Sequence, residues 1–189
     1  MKSALVSIVL TSVVTAQQSA PSRHVGIAAA LQGSYAGLKG IVIGEAAKMP
    51  EADYGFKPSS MPEVRTFGQV IAHIADAQFD TCANVKGVPN PNQAKHLEQD
   101  LKSKADFAKA LADSFALCDE VFSATTDENA VQSIRVQLGA RVLELPRASV
   151  LYGLLAHTSE MYGIGTVYLR AKGLVPPASE PQARGRTGQ

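Results

Sequence analysis

The sequence has no tryptophan, few aromatic residues (6%) and only two cysteines among its 189 residues. With so few rings there is no stacking platform for nucleic-acid bases. Charge of one sign is missing too. Lys plus Arg number 18 against 17 Asp plus Glu, a net charge of +1, and no long basic run exists. A chain so balanced gives no electrostatic reason to expect nucleic acid or an anionic membrane as a partner. No Gly-rich phosphate loop, nucleophile elbow, zinc-finger spacing or EF-hand loop occurs. No CxxC pair is present to depress a thiol pKa. The chain has no internal repeat either.

What is there begins with MKSALVSIVLTSVVTAQQSAPS. One lysine precedes an apolar stretch from Ala4 to Val14, and Val14-Thr15-Ala16 supplies residues suited to a cleavage site. This is the anatomy of a secretory signal peptide, too short for a spanning helix of ~20 residues. The expected division is a signal peptide at 1–16, one folded domain at 17–175 and a disordered tail at 176–189. The domain is expected to be exported, most simply into a bacterial periplasm. No stable membrane span is expected after cleavage. Hydrophobic residues make up 46% of the chain, enough to bury one core.

The rest reads as helices. Leu31, Tyr35, Leu38 and Val42 recur at spacings of three and four between His24 and Met49. Thr66 is a candidate N-cap for a second helix to Lys86, with Phe67, Val70, Ile71, Ile74 and Cys82 facing inward. Ser103 and Asp106 resemble a capping box for a third, carrying Phe107, Leu111, Phe115, Cys118 and Phe122. Residues 126–145 read either as strand or as an irregular lead-in. The last helix spans Pro146 to Lys172, closed by Gly173. Four such helices predict an all-α four-helix bundle.

Loop length bears on its topology. About 16 residues join the second and third helices, long for antiparallel neighbours. Extended, they reach roughly 50 Å, against ~31 Å for the second helix. The crossover can therefore return along the bundle and leave the two helices parallel. Cys82 lies 16 residues beyond Thr66 and Cys118 lies 15 beyond Ser103. In a parallel pair the sulfurs stand at one depth, and in an antiparallel pair they are roughly 15 Å apart. Cys82 and Cys118 are thus disulfide candidates in an exported protein, the alternative being two small buried thiols.

The segments MPEADYGFKPSSMPEVRTFGQVIAHIADAQF (49–79), DSFALCDEVFSATTD and LLAHTSEMYGIGTVYLRAKGLVPPAS (154–179) together resemble the DinB family. The resemblance implies an up-down-down-up four-helix bundle. It also implies a divalent metal (Zn, Ni or another) held by three histidines, one on the second helix and two on the last. Some family members resemble thiol transferases, in which the metal lowers the pKa of a bound thiol. Here His73 matches the first ligand and His157 the second, while Met161 stands at the third position. A thioether is a weak, soft ligand, acceptable to Cu⁺ but poorly suited to Zn²⁺ or Ni²⁺.

The expected function is therefore an exported DinB-like protein with an incomplete site of His73, His157 and Met161. Its activity would be thiol-S-transferase-like or hydrolase-like, and the partner a small-molecule thiol or electrophile. The alternative is a non-catalytic binding or structural bundle that has lost the metal, with Met161 as core packing. A homodimer is a candidate assembly. Asp76 and Asp80 lie within helical reach of His73 and could add a carboxylate, and Glu160 could orient His157. His24 and His96 fall where surface exposure is the default. The catalytic residues are not assigned by the sequence.

Overall fold

The structure, a computed structural model, describes residues 25–181. Residues 1–24, which include the expected signal peptide and His24, and residues 182–189 lie outside the described residues. Six helices and one hairpin follow in order: α1 Ile27–Lys48, α2 Phe67–Lys86, α3 Leu97–Asp100, α4 Lys104–Ser123, α5 Asp127–Ala130, β1 Ser133–Leu138, β2 Arg141–Pro146 and α6 Arg147–Ala171. The four long helices, α1, α2, α4 and α6, build the bundle.

Local chemistry sets their ends. The Thr66 hydroxyl accepts from the Gln69 backbone N–H (3.2 Å), and the Gln69 side chain returns a bond to the Thr66 N–H (2.8 Å). Ser103 and Asp106 form the same reciprocal box on α4. α1 begins at Gly26 without a side-chain cap of its own. Asp127 of α5 supplies one, its Oδ1 accepting from the Ala28 N–H at 2.8 Å. Gly87 closes α2 at φ 74°, in the left-handed region that glycine enters without a Cβ clash.

Contacts between helices fix their directions. Gly68 lies against Phe107, Ser114 Oγ donates to Gln78 Oε1 (2.8 Å), and Cys82 is bonded to Cys118 with Cα atoms 5.3 Å apart. These pairs keep nearly the same sequence offset, so α2 and α4 run parallel. α1 opposes α4: Gln32 Nε2 donates to the Phe122 carbonyl (2.9 Å) at one end, and Lys104 Nζ to the Met49 carbonyl (2.8 Å) at the other. α6 opposes α2, its Tyr168 hydroxyl donating to the Arg65 carbonyl at 2.7 Å. The order is up-down-down-up. A single apolar core runs between the four, including Val42, Phe67, Ile71, Phe115, Phe122 and Leu151. All the inward residues expected on α2 and α4 are buried.

Residues 126–145, ambiguous in the sequence, hold α5 and most of an antiparallel hairpin pairing Ser133 with Pro146 and Val136 with Leu143. Gly139 makes the turn at φ 58°. Among the described side chains of the hairpin only Val136 is buried, on the strand that packs on α2. Residues past 175 remain in contact with the bundle. Pro177–Ser179 forms a 3-10 turn against the bundle, where Pro177 packs on Gly44, the Tyr162 hydroxyl accepts from the Ala178 N–H (3.0 Å), and Lys48 pairs with Glu180. Proline stiffness and these contacts hold that segment.

One core residue is out of character. Glu45 on α1 is fully buried, and neither of its carboxylate oxygens has a hydrogen-bond partner. It lies against Gly165 of α6, where a Cβ would come within 2.5 Å of Oε2. Burial pushes its pKa up to about 8, so the acid is mostly protonated at neutral pH.

Candidate functional site

His73 projects from the middle of α2 and His157 from α6, across the seam where these antiparallel helices meet. Their Nε2 atoms stand 3.2 Å apart, with the rings tilted by 54°. On the far side of His73, Nδ1 lies 2.9 Å from Glu98 Oε1. The second oxygen of Glu98 accepts from Arg65 Nε, also at 2.9 Å. Arg65, Glu98, His73 and His157 thus form one chain of polar contacts. Three of its members lie 84 or fewer residues apart in sequence, yet none adjoins another in the chain.

The proton positions follow from the partners. A carboxylate can only accept, so His73 Nδ1 carries the proton and donates it to Glu98. A neutral His73 ring with its proton on Nδ1 presents a bare lone pair at Nε2, to which His157 Nε2–H can donate. His157 Nδ1 is buried and without a partner. Burial, then the neighbouring His73, lowers the His157 pKa, which keeps this ring neutral.

His157 also lines a cavity of about 330 Å³ between α2, α6 and the hairpin. Ala77, Val136, Leu145, Val150 and Leu154 make it largely apolar, with Asp80 and Asn84 among its few polar groups. Volume and lining suit a small, mainly apolar molecule held by a few polar contacts. No local pattern marks this wall, because it depends on how the hairpin folds back.

The remaining candidates separate. Met161, one turn beyond His157, is buried within the apolar core cluster. Asp76 accepts from Asn92 Nδ2 at 2.5 Å, and burial followed by the nearby Glu98 charge raises its pKa. Asp80 borders the cavity instead. Glu160 is exposed and makes no bond to His157. His96 is exposed at the start of α3. Glu98 and Arg65 were missed by sequence reasoning. Glu98 sits 25 residues from His73 in a polar crossover, and no spacing rule connects a loop acid to a helix ligand.

Whether the pair fits the metal that the sequence resemblance implies can be tested on the geometry. Two nitrogens each about 2.0–2.1 Å from one ion stand roughly 2.9–3.4 Å apart for bond angles between octahedral and tetrahedral. The 3.2 Å separation lies within that range. His73 is also prepared as a ligand, since a carboxylate holding Nδ1–H is the usual outer partner of a metal-bound imidazole. His157 is prepared only in position. Ligation through Nε2 would move its proton to Nδ1, leaving a buried N–H with no acceptor, a cost of about 1–3 kcal/mol. Among the described residues, no group of three or more His, Cys, Asp or Glu side chains is arranged to hold an ion. The residues fit two positions of a metal site.

Comparison with known proteins gives the same fold. The model of the DinB superfamily matches residues 43–160. A crystal structure of a DinB-like protein from Bacillus cereus superposes with a TM-score of 0.62 at 18% identity, covering 78% of this chain and 93% of the other. The DinB-like protein YjoA from Bacillus subtilis gives a TM-score of 0.58 at 16% identity, covering 80% and 99%. At such identities the likeness concerns the fold. No curated protein matches the chain.

Proposed function

The chain belongs to the DinB superfamily, and from that premise we propose an exported protein that binds a small molecule beside a two-imidazole metal site formed by His73 and His157. The observation that carries the reading is the 3.2 Å approach of the two Nε2 atoms while Glu98 holds the opposite nitrogen of His73. A divalent ion in such a site stabilises thiolate over thiol and leaves positions open to a ligand. The chain's own residues supply the rest. Arg65 and Glu98 orient His73, the lowered pKa of His157 favours its neutral ring, and the adjoining cavity takes the apolar part of a thiol or electrophile. Binding at this pair is weaker than in a three-histidine site, because Met161 is a thioether and His157 Nδ1 has no acceptor.

Export is supported by the N-terminal segment and by the disulfide, which is compatible with an oxidising compartment. No helix among the described residues is long and apolar enough to cross a membrane.

A second reading rests on the orphaned Nδ1 of His157. That atom suits a metal-free pair, in which the histidines act as a polar anchor at the cavity wall and the protein binds without catalysis. Elemental mass spectrometry of the untagged protein, with a His73→Ala/His157→Ala double variant as control, separates the two. The metal reading expects Zn, Ni or Cu that is lost in the double variant. Equal, negligible metal in both proteins would leave the metal-free binder.

A further inference from the structure

The cavity beside His157 is mainly apolar, and apart from the imidazole it carries one ionisable group. Thr81, Asn84, Gln137 and Ser149 are its neutral polar residues, and Asp80 is its one carboxylate. No lysine or arginine is among the described residues that line it. Asp80 is exposed, and among the described residues no Lys, Arg or His side chain pairs with it. Its Oδ1 meets Asn90 Nδ2 only at 3.5 Å, the outer limit of a hydrogen bond. The carboxylate therefore stands at the wall of an apolar space without a counter-charge.

The two helices place that carboxylate midway along the cavity. Ala77 and Asn84 mark its extent on α2, two turns or about 10 Å. On antiparallel α6 it runs from His157, beside the Ala77 end, back to Ser149. The far end is tied to the hairpin, where the Gln137 N–H donates to Asn84 Oδ1 at 3.3 Å. Asp80 lies midway between Ala77 and Asn84, and Gly153 midway between Ser149 and His157, so the two stand level on opposite walls. A Cβ at Gly153 would meet nothing within 4 Å, which leaves room in front of the carboxylate. Thr81, the next residue along α2, adds a hydroxyl acceptor on the same wall.

We propose that this cavity selects a cationic ligand, an apolar amine whose ammonium group is held by Asp80 while its hydrocarbon part lies among Ala77, Val136 and Leu154. The proposal rests on the cavity being the binding site of the proposed function, and it narrows the ligand there to a thiol or electrophile that bears an amino group. Charge complementarity selects this occupant. An ammonium supplies three donors to an acceptor-only carboxylate, and apolar walls strengthen the attraction relative to open water. A carboxylate-bearing ligand of the same size would meet Asp80 with no lysine or arginine on the lining to offset the repulsion. A neutral ligand would fill the apolar space and leave the charge unused. Asp80 is thus a specificity-determining residue, separate from the histidine pair.

Calorimetric titration of hexan-1-amine, hexan-1-ol and hexanoate into the untagged, EDTA-treated protein at neutral pH tests the proposal. At that pH the first is a cation, the second neutral and the third an anion. The amine should bind about tenfold more tightly than the alcohol, and hexanoate more weakly still. Asp80→Asn should bring the amine down to the affinity of the alcohol. Gly153→Leu, which fills open space, should weaken all three. Equal affinities in the unaltered protein, or no binding of any of the three, would overturn the proposal. So would an amine preference that survives Asp80→Asn, or binding that survives Gly153→Leu and so lies elsewhere. Using metal-stripped protein separates this result from the metal reading. Zn²⁺ should bind Asp80→Asn as it binds the unaltered protein, and an amine preference in a protein that binds no Zn²⁺ would remove the ion while upholding the cavity's selectivity.

Discussion

The bundle contains two parallel helix pairs, and they are held together in opposite ways. α2 and α4 share a disulfide, a buried Ser114–Gln78 hydrogen bond and the close seat of Phe107 on Gly68. α1 and α6 share no such bond. Where they meet, Glu45 is buried with both oxygens unpartnered, tolerated because Gly165 has no side chain. The α2–α4 half is specified by covalent and fully satisfied polar contacts. The α1–α6 half depends on apolar burial and on a carboxyl group that must stay protonated. The same asymmetry reaches the site, which spans both halves: His73 on α2 is held by Glu98, whereas Nδ1 of His157 on α6 is held by nothing.

The largest expected effect comes from cutting the rigid half. Cys82 and Cys118 are 36 residues apart, and closing a loop of that size contributes about 4 kcal/mol in the chain-entropy account. The Cys82→Ala/Cys118→Ala variant should lose stability on that scale in urea denaturation, and reduction of the unaltered protein should match it. Closing the gap from the other side should stabilise the loose half. Glu45 has a folded-state pKa of about 8 against an ordinary 4.5. Between those values the folded chain binds more protons than the unfolded one, so stability falls as pH rises from about 4.5 to 8 and levels off above. Glu45→Met should remove this loss. Its gain should be small near pH 4 and roughly 3 kcal/mol at pH 7, read from denaturation curves at both pH values.

A smaller effect separates the two histidines. Glu98→Gln removes the carboxylate behind His73 and should weaken Zn²⁺ binding by about 10–100-fold. Glu160→Gln, on the His157 side, should leave it within error. The smallest effects lie in two glycines. Gly68→Ala drives a Cβ within 2.7 Å of the Phe107 ring and should cost about 1–3 kcal/mol. Gly33→Ala on α1 meets nothing within 4 Å and should stabilise the helix by about 0.5–1 kcal/mol. Thermal melts of the two variants should therefore shift in opposite directions.

The rigid half was also the legible half. Thr66 and Ser103 announced their helix starts, because capping is a short-range chemistry written within four residues. The matched depth of Cys82 and Cys118 points to a parallel pair from the sequence alone. The hairpin is ambiguous in the sequence because VQLGARVLEL alternates too weakly to mark one buried face, and among its described side chains only Val136 is buried. Glu45 reads in sequence as an ordinary acid near a helix end, since nothing local says that α6 will present Gly165 to it. The two histidines were found through family resemblance, but Glu98 depends on a four-residue helix in the crossover folding over His73. Long-range placement of single polar groups has no periodicity to reveal it.

In the proposed function His73 and His157 form a metal site short of one ligand. Calorimetric titration of Zn²⁺ into the unaltered protein and into Met161→His tests it most directly. The former should bind weakly and the latter with an affinity higher by orders of magnitude, both abolished by adding His73→Ala. Equal affinities for the two proteins, tight or absent, would contradict it.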